Sequence, residues 1–413
     1  MTRQKILWLS HFVPYPPDIG AVQRSYNLLR EVAQYHDVIL LAFNQPALLE
    51  NDKQIKNSLD HLSSFCTIAD VIPIKSEQSS YGRKLAYLYS LFSKEPFTTR
   101  WLASNEYAKR IQEVIKSHSI DVVHFDTLSF VPYLSDIGDT KSVLNHHNIE
   151  SDMMLRRASQ ESSLIKRLYL QIEGQKLRRI EKDWCPKFDM NVTCSPLDSE
   201  RLLKNIPNLT RESVDVIPNG VDPDRFSSPT RSEKNNTLIF AGSMGWYPNE
   251  AAMLFFANQV WPLLKKQIPD VQMFVIGPQP PKSLVELSES DPLFKVTGFV
   301  DDVRPYIEEA AVYVCPIFDG GGTKLKVLEA LAMSKALVAH PIACEGIDVI
   351  DGESVVFAET PEQFTTQIAL LLQDQEKRKK LGAEGKKLAL EKYSYKSIGL
   401  KLANIYNEIN NKT

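Results

Sequence analysis

Asp319-Gly320-Gly321-Gly322-Thr323-Lys324-Leu325-Lys326-Val327-Leu328-Glu329-Ala330-Leu331-Ala332-Met333-Ser334-Lys335 is the stretch on which the reading of this chain turns. It follows an apolar run, Val312-Tyr313-Val314-Cys315-Pro316, that reads as a buried strand, and it passes into good helix formers with apolar residues at Leu325, Leu328 and Ala332. The pattern is strand, glycine loop, helix. Glycines in such a turn let backbone N–H groups approach a ligand closely, and the helix start behind them carries partial positive charge. Phosphate binds at such places. Lys324 and Lys326 add two cationic side chains at the same end, and Glu329, one turn further in, can reach a hydroxyl. These residue types suit a polyphosphate that carries a ribose. A glycine cluster before a helix is also often a plain tight turn with solvated lysines, and the pattern alone leaves both readings open. Around residues 320–325 there is neither a Gly-x-x-x-x-Gly-Lys-Ser/Thr loop nor a Gly-x-Gly-x-x-Gly loop, which argues against a P-loop ATPase and a standard dehydrogenase.

The 413 residues exceed one ordinary core and imply two domains with separate interiors. A hydrophobic content of 43% and a charged content of 24% are those of a soluble globular protein. With a net charge of -3 there is no global pull toward nucleic acid or membrane, so an anionic partner has to be met by a local patch. No apolar run approaches the roughly 20 residues of a spanning helix, and the apolar part of the amino terminus is short for a signal peptide. The expected location is cytoplasmic. Cys66, Cys185, Cys194, Cys315 and Cys344 are odd in number and show no Cys-x-x-Cys spacing; they read as buried thiols.

Strand-like runs recur at residues 6–9, 38–43, 71–74, 122–125, 143–145 and 190–193, separated by helical patterns beginning near Gly20 and at 83–92, 107–116 and, as one long helix, 152–184. Residues 214–234 are dominated by turn formers. A second series then runs through strands at 238–241, 271–276, 294–297, 311–315 and 336–339, with helices at 249–266 and 303–308 and the helix of the opening stretch. Strands alternating with helices imply parallel sheets covered on both faces, and open sheets of this kind bind ligands beyond the carboxyl ends of their strands. Three helical patterns close the chain, at 361–373, 376–391 and 395–410.

Together these residues resemble family 4 of the retaining glycosyltransferases, which have the GT-B fold. The likeness covers almost the whole chain. It rests on Val216-Ile217-Pro218-Asn219-Gly220-Val221-Asp222 with Phe226, on Phe240-Ala241-Gly242-Ser243-Met244, on Val296-Thr297-Gly298-Phe299-Val300, on Cys344-Glu345-Gly346-Ile347, and above all on the segment from Gly321 to Ala332. The resemblance implies an α/β chain of two facing Rossmann-like domains: 1–212 on the acceptor side, 213–392 holding the nucleotide sugar, and a helix, 393–413, returning to the first domain. Two departures stand out. The family's spacing puts its first Glu at Gly321, which leaves Asp319 as the nearest carboxylate, and the usual Arg and Lys after the Gly242 strand are replaced by Ser243-Met244-Gly245-Trp246-Tyr247-Pro248-Asn249.

The activity so implied is transfer of a sugar from a nucleoside-diphosphate donor to a saccharide or glycolipid acceptor with retention, in surface polysaccharide biosynthesis, with no cofactor and no metal ligand assigned. Charge grows on the departing diphosphate, so stabilising it is the main task. By resemblance, donor binding falls to Gly20, Gly242, Ser243, Gly298, Gly321, Gly322, Thr323, Lys324, Lys326 and Glu329, and catalysis to Lys324, Asp319 and His147. His147, from His146-His147-Asn148 after a first-domain strand, would hold a sugar hydroxyl; a general-base role would instead suit inversion. His11 is a weaker candidate, and His36, His61, His118 and His340 are taken as structural. The alternative is a non-catalytic nucleotide-sugar-binding partner of another transferase, motivated by Gly321. Arg156, Arg157, Lys166, Arg167, Lys176, Arg178, Arg179 and Lys182, with residues 83–92, raise the further expectation of peripheral contact with the inner face of a membrane, beside the plainer reading of solvated helices.

Overall fold

The computed structural model describes residues 2–17, 20–79, 81–226, 231–320 and 322–411. Gly321 therefore lies outside the described residues. The chain divides into two compact units, one formed by Met1–Pro218 with Ile398–Thr413, the other by Asn219–Ser397.

The first unit runs β1 (Lys5–Ser10), α1 (Gly20–Val32), β2 (Asp37–Asn44), α2 (Asp52–Leu62), β3 (Ile68–Pro73), α3 (Gly82–Phe92), α4 (Phe97–Trp101), α5 (Asn105–His118), β4 (Val122–Phe125), β5 (Lys141–His146), α6 (Glu150–Gln160), α7 (Leu164–Trp184), β6 (Met190–Thr193), α8 (Pro196–Asn205) and β7 (Val214–Val216). Its seven strands are all parallel, in the order β3-β2-β1-β4-β5-β6-β7. Consecutive residues of β1 are buried on both faces, as a covered parallel sheet requires. Leu7 and Leu9 enter the core on one face. Trp8 on the other face stacks on His124 at 3.7 Å.

The second unit runs β8 (Thr237–Ala241), α9 (Tyr247–Phe255), α10 (Trp261–Gln267), β9 (Gln272–Ile276), α11 (Lys282–Ser290), β10 (Phe294–Gly298), α12 (Arg304–Glu309), β11 (Val312–Cys315), α13 (Leu325–Ala332), β12 (Ala336–Ala339), β13 (Val356–Phe357), α14 (Pro361–Gln373) and α15 (Gln375–Lys392). Its six parallel strands lie in the order β10-β9-β8-β11-β12-β13. The last helix, α16 (Tyr395–Asn411), belongs from Ile398 onward to the first unit. There its Ala403 carbonyl accepts from His36 Nε2 at 3.0 Å, and its Tyr406 hydroxyl shares a hydrogen bond of 2.9 Å with His124 Nδ1. His36 Nδ1 accepts from the Gln4 amide at 3.2 Å, so both ring nitrogens are spent on the fold.

Four expectations need correction. The single helix over 152–184 is two helices, broken at Glu161-Ser162-Ser163. They fold against each other: Arg178 meets Asp152 at 2.9 Å, the Glu181 carboxylate accepts from the Ser151 amide at 3.0 Å, and Gly174 leaves room for Leu155. No Pro or Gly marks the break, which depends on the modest propensity of Ser for helix interiors and on the hairpin contacts. Residues 214–216, expected among turn formers, are a strand paired with β6, because Val214 and Val216 fit the register despite Asp215 between them. The unit boundary accordingly falls after Pro218 and not after residue 212. The helix over 249–266 contains a π-helical turn, Phe256–Val260, just before Pro262, which has no N–H to continue the regular ladder. Helices α2, α4, α8 and α11 were not expected at all.

Candidate active site

In each unit the strand order reverses direction once, between β1 and β4 in the first and between β8 and β11 in the second. Such a reversal opens a crevice at the carboxyl ends of the two strands. The candidate residues gather at these two places.

In the second unit, β8 ends at Ala241 and the chain passes through Gly242 and Ser243. The Gly242 amide donates to the Ile276 carbonyl at 2.8 Å, and the Gly277 amide to the Gly298 carbonyl at 2.9 Å, which ties the ends of β8, β9 and β10 into one floor. Gly277 adopts φ +146, and a Cβ there would sit 2.0 Å from the Gly242 carbonyl oxygen. A Cβ on Gly242 would sit 2.2 Å from Lys326 Nζ. The glycine therefore makes room for the amine. Lys326 Nζ donates to Asn249 Oδ1 at 2.6 Å, lies 4.4 Å over the Phe240 ring, and Asn249 Nδ2 in turn donates to the Ser243 carbonyl at 2.7 Å. Burial, and to a lesser degree the neighbouring Lys324, draws the Lys326 ammonium down to about 8.

The loop after β11 packs on the first turn of α9, where a Cβ on Gly320 would come within 3.1 Å of Pro248. Gly320 (φ +99) and Gly322 (φ +72) take up the left-handed backbone that their side-chain-free Cα permits. Helix α13 begins at Leu325, not at Gly322, with Lys324 as its extended N-cap residue. Lys324 differs from expectation. Its amine folds back onto the loop and donates to the carbonyls of Gly320 and Gly322, each at 2.8 Å. Thr323 is buried, and its carbonyl accepts from Asn219 Nδ2 at 3.0 Å. Asp319 is half-buried, and among the described residues its Oδ2 is buried without a hydrogen-bond partner. Glu329 is half-buried in α13, close enough to Lys326 for its charge to oppose the lysine's loss of a proton.

The second unit thus brings together Gly242, Ser243, Gly298, Gly322, Thr323, Lys324, Lys326, Glu329 and Asp319. Gly20 and His147 belong to the first unit. Gly20 is the exposed first residue of α1. His147 follows β5, and its Nε2 donates to the Asp126 carboxylate, at Oδ1, over 3.2 Å.

Asp126, just past β4, is fully buried and also accepts from Asn145 Nδ2 at 2.9 Å and from the Ser25 hydroxyl at 2.6 Å. Burial alone would raise its carboxyl. The facing His147, its hydrogen bond, and the nearby ring of His124, whose Nε2 lies 3.9 Å away, outweigh that and hold it well below the usual carboxylate range. Arg24 closes the cluster, donating to Asn145 Oδ1 at 3.1 Å and to the carbonyls of Ile217 at 2.7 Å and Pro218 at 2.8 Å. His11 stands beside it, its ring 6.2 Å from that of His147 and its imidazole drawn by burial down to about 4. His146 is sealed against Asn191 Oδ1 at 3.1 Å and is likewise drawn by burial to about 4. Sequence reasoning missed Asp126, Arg24 and Asn249. Asp126 had a usable signal, a carboxylate directly after the apolar strand Val122–Phe125; Arg24 and Asn249 sit in helices where nothing local distinguishes them.

Residues 20–225 match the family described as Glycosyltransferase Family 4, and residues 235–374 match Glycosyl transferases group 1. The two matches take in both units, and the chain belongs to the glycosyltransferases of GT-B fold. An uncharacterized 44.6 kDa protein in the cps region of Klebsiella pneumoniae is 22% identical over 381 residues, which are 88% of this chain and 90% of that protein. The phosphatidyl-myo-inositol mannosyltransferase of Mycobacterium tuberculosis is 25% identical over 206 residues, 47% of this chain and 53% of that enzyme. The crystal structure of Anabaena HepE in complex with UDP aligns at a TM-score of 0.69 and 15% identity, covering 98% of this chain and all of HepE.

Proposed function

We propose that the chain moves a sugar from a nucleoside-diphosphate donor to a saccharide, free or lipid-linked, with retention and without a metal or other cofactor, in the building of a surface polysaccharide. With a lipid-linked acceptor the enzyme works as a peripheral protein at the inner, cytoplasmic face of a membrane. The observation that carries this reading is Lys326: an ammonium held at the carboxyl end of β8, hydrogen-bonded to a neutral amide, and weakened by burial. A group in that state gains from an anion. A diphosphate placed over Gly242 and Gly298 supplies one, and as the bond from the anomeric carbon to its oxygen breaks, Lys326 and then Lys324 meet the growing charge. Lys324 does so by giving up the carbonyls of Gly320 and Gly322. Glu329 takes ribose hydroxyls. The buried Oδ2 of Asp319 accepts from a sugar hydroxyl, in the part that Gly321 cannot play. The relative in the cps region, the mannosyltransferase relative and the UDP complex of HepE support the acceptor and donor classes.

The Asp126–His147 pair favours a second reading of the stereochemistry. A histidine anchored by a carboxylate is equipped to take a proton from the acceptor, which would give inversion. The anomeric configuration of the product, read by NMR, decides between the two. The function itself is tested by a thermal-shift screen of UDP, GDP, ADP and CDP, in which a ligand at a hundredfold excess over its Kd stabilises by about 2.7 kcal/mol. Lys324→Ala and Glu329→Ala are expected to abolish transfer while leaving the fold intact. A protein that binds a diphosphate yet releases none from any sugar donor would be a binding partner of another transferase.

A further inference from the structure

Two stretches far apart in sequence, α3 and α7, present large apolar side chains to solvent. On and beside α3 these are Tyr81, Leu85, Leu88 and Phe92, the last 90% exposed; on α7 they are Leu164, Ile165 (84% exposed) and Leu168. The two helices are neighbours in the first unit. The rings of Tyr87 and Tyr169 lie 5.0 Å apart, and Lys176 of α7 donates to the Ser90 carbonyl of α3. Neither helix adds an acid to its exposed row, although Glu77, shortly before α3, pairs with Arg83 at 3.6 Å. Helix α3 carries Arg83 and Lys84 and no carboxylate, and from Leu164 to Ile172 the only charges are Lys166 and Arg167. Glu173, which follows, is buried and paired with Lys176 at 2.8 Å. A cationic, apolar face thus stands on a chain whose net charge is -3. Alongside it, Leu155, Leu168, Ile172 and Arg179 line an open groove of about 530 Å³.

We infer that α3 and the first half of α7 form one docking face for an anionic lipid bilayer. Apolar side chains framed by Lys and Arg are what a bilayer interface with anionic headgroups accommodates. A second copy of the chain fits less well, since pairing this face with itself opposes cation to cation. Among the described residues no helix is long and apolar enough to cross a membrane, so the contact is peripheral. The inference deepens the lipid-linked form of the proposed reaction. Vesicle binding is measured without donor or acceptor, so its failure and the failure of the transferase reading are separable.

The test is co-sedimentation of the full chain with phosphatidylcholine vesicles, with and without phosphatidylglycerol, at low and high salt. The chain is expected to pellet only with the anionic vesicles and to be released by salt. Phe92→Ser combined with Ile165→Ser, at positions too exposed to matter for folding, is expected to weaken binding at least about tenfold. Removing Arg83, Lys84 and Lys166 is expected to weaken it about fivefold per cation and to flatten its salt dependence. The inference is overturned by equal binding to neutral vesicles, by no binding, or by binding that ignores both sets of substitutions. It is overturned too if the face closes a dimer that Phe92→Ser with Ile165→Ser dissolves while neither protein binds vesicles.

Discussion

Gly242→Ala and Gly277→Ala make the same chemical change at adjacent points of the second unit's floor, and the structure assigns them opposite consequences. At Gly242 the added Cβ meets Lys326 Nζ at 2.2 Å and Asn249 Nδ2 at 2.9 Å, both at the ends of side chains that can swing aside. The fold then loses little beyond the charge-assisted bond between Lys326 and Asn249, about 1.5–3 kcal/mol at most, and less where the displaced amine finds water. The displaced ammonium no longer meets a diphosphate. A charge-assisted hydrogen bond is worth about 1.5–3 kcal/mol, so the affinity for the diphosphate should drop roughly tenfold to a hundredfold. At Gly277 the Cβ meets the Gly242 carbonyl oxygen at 2.0 Å and its carbon at 2.6 Å, with φ at +146. Neither backbone can yield without breaking the bonds that join the ends of β8, β9 and β10. A cost of about 3 kcal/mol or more follows, a fall in Tm of roughly 6–12 °C for a unit of this size. Differential scanning calorimetry and titration with whichever diphosphate binds the wild type tightest read the two effects separately. A Gly242→Ala protein that binds the diphosphate like wild type would refute the placement of Lys326 at the donor, and a Gly277→Ala protein with unchanged Tm would refute the floor.

Diphosphate affinity should decline above about pH 8, because an anion favours the charged Lys326 and the free site gives up that proton near 8; Lys326→Ala should remove the decline. Folding responds with the opposite sign. Since the unfolded lysine holds its proton up to about 10.5, the unfolded chain binds more protons between 8 and 10.5, and stability rises with pH there. In the first unit His146 is drawn from 6.5 to about 4, so its contribution, about 3 kcal/mol, is lost as pH falls through that window. Glu181, in the hairpin of α6 and α7, is raised by burial from 4.5 to about 7, so its contribution is lost as pH rises, and the two nearly cancel. Glu181→Gln is therefore expected to stabilise by up to about 3 kcal/mol at pH 8 and by little at pH 5; urea melts showing the same gain at both would contradict the assignment. Asp126→Asn should cut kcat by about tenfold to a thousandfold with diphosphate affinity unchanged, as for a residue that positions His147. A loss confined to diphosphate affinity would remove that role.

The parallel sheets were legible because their strands are short and rich in apolar residues: residues 122–125, 190–193 and 336–339 are the observed β4, β6 and β12. The glycine loop was legible for a different reason, that glycine, lysine and a following apolar helix together narrow the backbone geometry. What the sequence could not show was where long side chains end. Lys324 and Lys326 are two residues apart and identical in type, yet one curls onto the carbonyls of its own loop and the other reaches Asn249, 77 positions earlier in the chain. Only the packed structure sets that difference. The break at residues 161–163 was invisible because it depends on contacts such as that between Asp152 and Arg178, which form only once the hairpin has closed. Asp215 masked a strand for a comparable reason, since pairing with β6 outweighs the low strand preference of one aspartate.

The two crevices handle buried charge in contrasting ways, and the contrast bears on their roles. In the first unit Asp126 is enclosed by His147, Asn145 and Ser25, with every oxygen supplied with donors. A carboxylate so well satisfied has little to gain from a ligand, and its value lies in fixing the ring of His147. In the second unit Lys326 has a neutral amide and an aromatic face where a carboxylate would have neutralised it, and Asp319 keeps a buried oxygen without a donor among the described residues. Both deficits cost stability in the absence of a ligand, by the general rule that buried polar groups are expensive until paired. An anion beside Lys326 and a hydroxyl beside Asp319 would remove both at once. A phosphorylated sugar carries both groups, whereas a free nucleoside or a bare saccharide offers hydroxyls without the charge. The unsatisfied groups of the second unit thus agree with the donor role proposed for it, and the satisfied Asp126 of the first with the positioning of His147.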